Sequence, residues 1–235
     1  MSNINTINDN SYRIKRTAIL GLLTAIAFVV TFICRLPIIP SVPFLDLEFK
    51  SAIILIGGFM FGPLSALATT VVVCFIEMFT ISSTGIIGCV MNILSTVCFV
   101  CPASFIYKRK KTLTGAIIGL GVGIVLMTIA MVLWNYLFTP LYMGVPRQMV
   151  VDLLLPAFIP FNLIKGALNG SVTLLLYKFV VTALRKANLI PKTDNSNSKK
   201  SNIIGTVLIS LFVIATCVLA ILVFNGIFWY WLLNL

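Results

Sequence analysis

From Leu113 to Thr139 the chain carries no charged side chain, and comparable apolar runs recur along most of its length. A helix needs about 20 apolar residues to cross the hydrocarbon of a bilayer. Within lipid, every backbone N–H and C=O must be satisfied inside the segment or by a closed sheet. Runs this long therefore predict an all-α integral membrane protein. The balance of 60% hydrophobic to 10% charged residues lies outside that of soluble domains. Segments are predicted over about 14–35, 50–62, 63–81, 85–107, 113–139, 156–184 and 203–233, with Gly62-Pro63 dividing the second from the third. The second is short for a full span and is expected to be tilted or partly embedded.

Basic residues orient these segments. Arg13, Lys15 and Arg16 precede the first, Lys108 to Lys111 follow the fourth, and Lys178, Arg185, Lys186, Lys192, Lys199 and Lys200 surround the link from sixth to seventh. With a cytoplasmic N-terminus and seven crossings, all three clusters are cytoplasmic, as the positive-inside rule requires. Arg35, Lys50, Arg147 and Lys165 are left over. The C-terminus then lies outside, with Trp229, Tyr230 and Trp231 as an interfacial belt. The excess of 17 Lys+Arg over 6 Asp+Glu does not indicate nucleic acid, because the basic residues sit between apolar runs and not on one domain face. The apolar run from Ala18 is too long for a cleavable signal and has no small-residue cleavage site after it. The polar stretch 188–202 reads as a cytoplasmic linker. It separates a six-helix body, residues 1–187, from an added seventh helix in 203–235, expected to be peripheral and outside the site.

Little in the chain suits catalysis. There is no histidine, no G-x-x-x-x-G-K-[ST], no H-E-x-x-H and no G-x-S-x-G. An intramembrane enzyme would need an acid–base group besides Glu77 and Lys165. The six cysteines, at 34, 74, 89, 98, 101 and 217, lie in apolar segments and read as small buried hydrophobes, Cys98-x-x-Cys101 included. Neither a metal nor a cofactor is expected.

Binding is better served. Pro160-Phe161-Asn162-Leu163-Ile164-Lys165 interrupts an apolar run, and Asn162, Lys165 and Asn169 share one helical stripe. Ionisable groups at membrane depth are costly and commonly mark a substrate path. Segment five contributes Trp134, Asn135 and Tyr136. Amide and ammonium donors beside aromatic faces suit a planar polar heterocycle with imide-like edges. The competing reading is helix-to-helix hydrogen bonding in a ligand-free subunit, in which Asn135, Asn162 and Lys165 satisfy one another. Glu77 either neutralises Lys165 or sits at headgroup level, and Asn92 is a further polar candidate.

The first outer loop, Leu36 to Phe49, holds three prolines with Phe44, Leu45 and Leu47. A stiff apolar loop fits a lid over a pocket mouth, or else an anchor in the headgroups. Asp46 and Glu48 alternate with leucines, so an extended piece with one wet face is expected. In a later outer loop, Arg147 and Asp152 could pair on a short amphipathic helix. In segment one, Gly21 and Ala25 form a small-x-x-x-small pair beside Ala18, a face that permits close helix approach, either internally or to a partner.

Taken together, Gly21-Leu22-Leu23-Thr24-Ala25, the proline-rich loop, Phe61-Gly62-Pro63, Asn135-Tyr136 to Pro140-Leu141-Tyr142, and Pro160 to Lys165 resemble the substrate-binding S components of energy-coupling factor (ECF) vitamin transporters, most of all the riboflavin-specific ones. The resemblance spans roughly residues 12–187. It implies a six-helix body, with the seventh helix as an addition. It implies that the loop closes over riboflavin and that Asn135, Asn162 and Lys165 hydrogen-bond it. It also implies that segment one docks on a transmembrane coupling subunit and that two cytoplasmic ATPases drive uptake through the plasma membrane. Another heterocyclic vitamin, such as thiamin or folate, is the alternative cargo. One departure is the acidic pair Asp46 and Glu48, where the family would lead one to expect a hydroxyl-bearing contact.

Overall fold

Gly62-Pro63 shows how this sequence turns its helices. Gly62 adopts φ +95°, which a side chain would disfavour, and Pro63 occupies the first turn of the next helix, where its missing N–H costs nothing. A computed structural model describes residues 2–39, 42, 45–82, 84–186 and 207–221. The helices are α1 (Ser2–Ile33), α2 (Lys50–Phe61), α3 (Pro63–Thr80), α4 (Gly85–Lys110), α5 (Leu113–Met143), α6 (Arg147–Leu153), α7 (Ile159–Lys186) and α8 (Val207–Ile221). Five stretches within these are long and apolar enough to span a membrane.

The short second segment has a physical reason. Residues 50–59 of α2 are all buried, against α1, α3, α4 and α7. A helix that is apolar on every side belongs inside a bundle and not against lipid. At 12 residues it is about 18 Å long. Around it, α1 turns Ile19, Leu23 and Ala27 inward, one per turn, and leaves its other face exposed. Helices α4 and α5 approach each other closely. A Cβ at Gly119 would lie 2.8 Å from the Ala103 carbonyl oxygen, and one at Gly123 2.5 Å from that of Phe99, so only glycine allows the two backbones to meet here. Thr112 caps α5 by accepting from the Gly115 N–H at 3.0 Å.

The sixth segment begins earlier than expected, at Arg147, and is not uniform. Pro156 lacks the N–H for an α-helical bond, and residues Leu154–Phe158 widen into a π-helical turn in which the Ile159 N–H reaches back to the Leu154 carbonyl. Arg147 and Asp152 do not pair. Asp152 accepts from Gln148, while the Arg147 guanidinium lies 5.1 Å from the centre of the Tyr136 ring.

The first outer loop folds onto the bundle. Strands β1 (Leu36–Pro37) and β2 (Asp46–Leu47) pair antiparallel, Leu36 opposite Leu47 and Pro37 opposite Asp46. Ile38, Ile39, Val42, Leu45 and Leu47 are buried in a cluster with Val150, Phe158 and Phe161. The wet face expected of this piece is absent, because Asp46 and Glu48 both turn inward to basic partners. Phe44 lies outside the described residues, as do the linker 188–202 and the Trp229–Trp231 belt. Helix α8 is exposed over most of its surface and packs on the loop by one face. Cys217 is buried in the loop's cluster, and Val213, Ile214 and Ile221 pack against it. These positions form one stripe of α8, while Leu208, Phe212 and Leu219 on the other side are exposed.

Candidate functional site

Beneath the β1–β2 loop lies a cleft whose empty space, counting what is open to solvent at its mouth, is about 440 Å³. The loop side contributes Arg35, Leu45, Asp46 and Glu48; α4 contributes Met91, Asn92 and Ser95; α5 contributes Met131; and α7 contributes Phe161, Asn162 and Lys165, with Thr84 at the edge. Asn162 and Lys165 are three residues apart on α7, so one face of that helix carries both into the wall. The Asn162 amide donates to the Phe158 carbonyl at 2.8 Å. That bond leaves its acceptor oxygen and one N–H uncommitted among the described residues.

A chain of ion pairs supports this wall. The Lys165 ammonium lies 3.0 Å from Oε1 of Glu48, and the same oxygen accepts from Lys50 at 2.8 Å. Lys50, fully buried, also lies 2.5 Å from Oε2 of Glu77. Buried charges persist only when paired in this way. Burial opposes the charged Glu48 carboxylate, but the ammonium groups of Lys165 and Lys50 outweigh burial and hold it down at about 2. At the rim, Arg35 donates to Asp46 at 2.5 Å and to the Ile81 carbonyl at 3.0 Å, tying the loop to the end of α3.

These pairings revise several expectations. Glu77 neutralises Lys50, not Lys165, and it is buried behind the cleft. Asn169 is not free to bind a ligand. Its Oδ1 accepts from the Ala52 N–H at 3.0 Å, and its Nδ2 donates to the carbonyls of Glu48 and Lys165, both at 2.9 Å. It thereby supplies a partner for the start of α2, which has no cap of its own. Asn135 is buried off the cleft, where it donates to the Met131 carbonyl and accepts from Thr139. Trp134 stacks on Phe138 at 4.2 Å and lines a separate, shallower recess open to solvent, which shares Thr84 and Met91 with the cleft. Tyr136 is exposed beneath Arg147. Leu47 is buried inside the loop's cluster and not in the cleft wall, whereas Leu45 and Asp46 are in the wall. Asn135, Asn162 and Lys165 do not bond one another, contrary to what the ligand-free reading expects.

Arg35 and Glu48 line the cleft and Lys50 lies behind it, though none of the three is among the residues expected to bind. Their signal was present: Arg35, Lys50 and Lys165 are basic residues that the cytoplasmic clusters leave unexplained, and three of the six acidic residues lie at 46, 48 and 77.

The small-residue face of α1 stands free. Ala18, Gly21 and Ala25 are exposed, and no atom would lie within 4 Å of a Cβ at Gly21. This rules out the internal alternative for that face among the described residues.

Comparison with known proteins agrees with this architecture. A family model described as ECF transporter, substrate-specific component, matches residues 15–177. Riboflavin transporter RibU of Staphylococcus aureus (strain TCH60) is 32% identical over 75% of this chain and 96% of its own length. Riboflavin transporter FmnP of Bacillus subtilis (strain 168) is 26% identical over 70% of this chain and 91% of its own. A solved structure of the S component of a bacterial ECF transporter superposes with a TM-score of 0.63 at 33% identity, covering 74% of this chain and 99% of that one. A bundle of spanning helices with a loop-covered cleft and a match over most of its length, this chain belongs to the ECF transporter family of substrate-specific components.

Proposed function

We propose that this chain captures riboflavin from outside the cell and delivers it for ATP-driven uptake by a transmembrane coupling subunit and two ATPases. The observation that carries this reading is the cleft under the β1–β2 loop, into which one face of α7 brings Asn162 and Lys165. Their spare donors and acceptor suit the imide-like edge of an isoalloxazine, with Phe161, Met91 and Met131 against its apolar part. The names of relatives at 26–32% identity support the vitamin's identity. The positive-inside rule supports a cytoplasmic N-terminus and a cleft that opens outward. The exposed Ala18, Gly21 and Ala25 face of α1 is the surface offered to the coupling subunit. Residues 1–187 form the binding body, 188–202 a linker, and 203–235 an appended helix.

The test is titration of purified, ligand-stripped protein with riboflavin, followed by quenching of flavin fluorescence. Saturable, tight quenching that thiamin and folate fail to compete supports the proposal. Absence of quenching by a folded sample rejects riboflavin as the cargo.

A further inference from the structure

We infer that the cleft is built for a ligand of zero net charge and that Glu48 is the residue that sets this selectivity. The inference rests on the riboflavin reading and deepens it.

Three cations and three carboxylates stand in the cleft wall or directly behind it. Arg35 lies 2.5 Å from Asp46, Lys165 3.0 Å from Glu48, and Lys50 bridges Glu48 at 2.8 Å and Glu77 at 2.5 Å. The six charges sum to zero, and each cation already has a carboxylate. The other charged side chains of the outer half lie elsewhere: Arg147 rests over Tyr136, and Asp152 takes a bond from Gln148. An anionic ligand would therefore enter a poorly screened site that holds no spare positive charge, and a cationic one a site with no spare negative charge. An uncharged heterocycle meets no such penalty. It can still use Lys165, which has three N–H donors and gives one to Glu48.

Glu48 is decisive because one of its oxygens compensates two lysines. Without its charge, Lys165 faces the cleft as an unpaired cation and the wall carries a net charge of +1. Selectivity should then move toward anions.

The experiment compares riboflavin with riboflavin 5′-phosphate, which keeps the ring and adds negative charge. The quantity read is the ratio of the two dissociation constants for the full-length, ligand-stripped protein, before and after Glu48→Gln. The wild type should favour riboflavin, and in Glu48→Gln the preference should shift toward the phosphate ester by about tenfold or more. Asp46→Asn, at the less deeply buried rim, should shift it the same way by a smaller factor, and it serves where Glu48→Gln fails to fold. A merely structural role for Glu48 would weaken both ligands together and leave the ratio unchanged. An unchanged ratio in the folded variants, or equal affinity of the wild type for both ligands, overturns the inference alone. Failure of the folded wild type to bind riboflavin overturns the proposed cargo and this inference with it.

Discussion

Lys50 is the side chain whose loss the structure makes most costly. It is fully buried and lies 2.5 Å from Glu77 and 2.8 Å from Glu48. With an effective dielectric of about 20, each separation corresponds to roughly 6 kcal/mol of gross attraction. Much of that offsets the several kcal/mol needed to desolvate each ion. Lys50→Met removes the attraction but leaves two buried carboxylates facing one lysine, at a net cost of about 3–5 kcal/mol. For a chain of this size that corresponds to a fall of roughly 10 °C in Tm. Removing Glu77 as well, in Lys50→Met/Glu77→Gln, returns the cluster to the neutral Glu48–Lys165 pair. It also discharges a carboxylate whose Oε1 has no partner in the native protein. The double variant should therefore be more stable than the single one. The assay is thermal unfolding of the purified protein in one detergent, with all three forms measured side by side. A single variant as stable as the wild type, or a double variant no better than the single, would refute the account of Lys50 as a compensating charge.

Gly21→Leu or Ala25→Leu should leave riboflavin binding intact while abolishing uptake by cells, because the α1 face is exposed and remote from the cleft; retained uptake in both would remove that face from the docking surface. Ile214→Ser with Ile221→Ser should loosen the β1–β2 loop and speed riboflavin dissociation by several-fold, whereas Phe212→Ser on the exposed side of α8 should not; stopped-flow release in the three forms distinguishes the two faces. Glu48 sits at about 2, below its ordinary 4.5, so its contribution to stability is fully present above about pH 4.5 and is lost as the pH falls toward 2. Thermal stability should be flat on this account from neutral pH to about 5 and should drop below 4.5, and Glu48→Gln should remove that drop.

The spanning character of this chain was legible in its sequence because lipid imposes a one-dimensional rule: about 20 apolar residues with internally satisfied backbones. Gly62-Pro63 marked the turn between α2 and α3 through local stereochemistry, and the spacing of Asn162 and Lys165 placed both on one face by helical period alone. Asn135 and Asn169 looked equivalent to Asn162, since an amide in an apolar run reads the same whether it meets a ligand or a backbone. Only the packing of α7 against α2 assigned Asn169 to the Ala52 N–H and the Glu48 carbonyl. The same holds for the charges. Glu48 and Lys165 are 117 residues apart, and no local pattern links them or brings Lys50 between Glu48 and Glu77. Sequence determined which stretches are long and apolar enough to enter a membrane and which residues are costly there. Tertiary structure decided which of those residues neutralise one another and which remain for a ligand, because pairing depends on distances of a few ångströms that only the folded bundle sets.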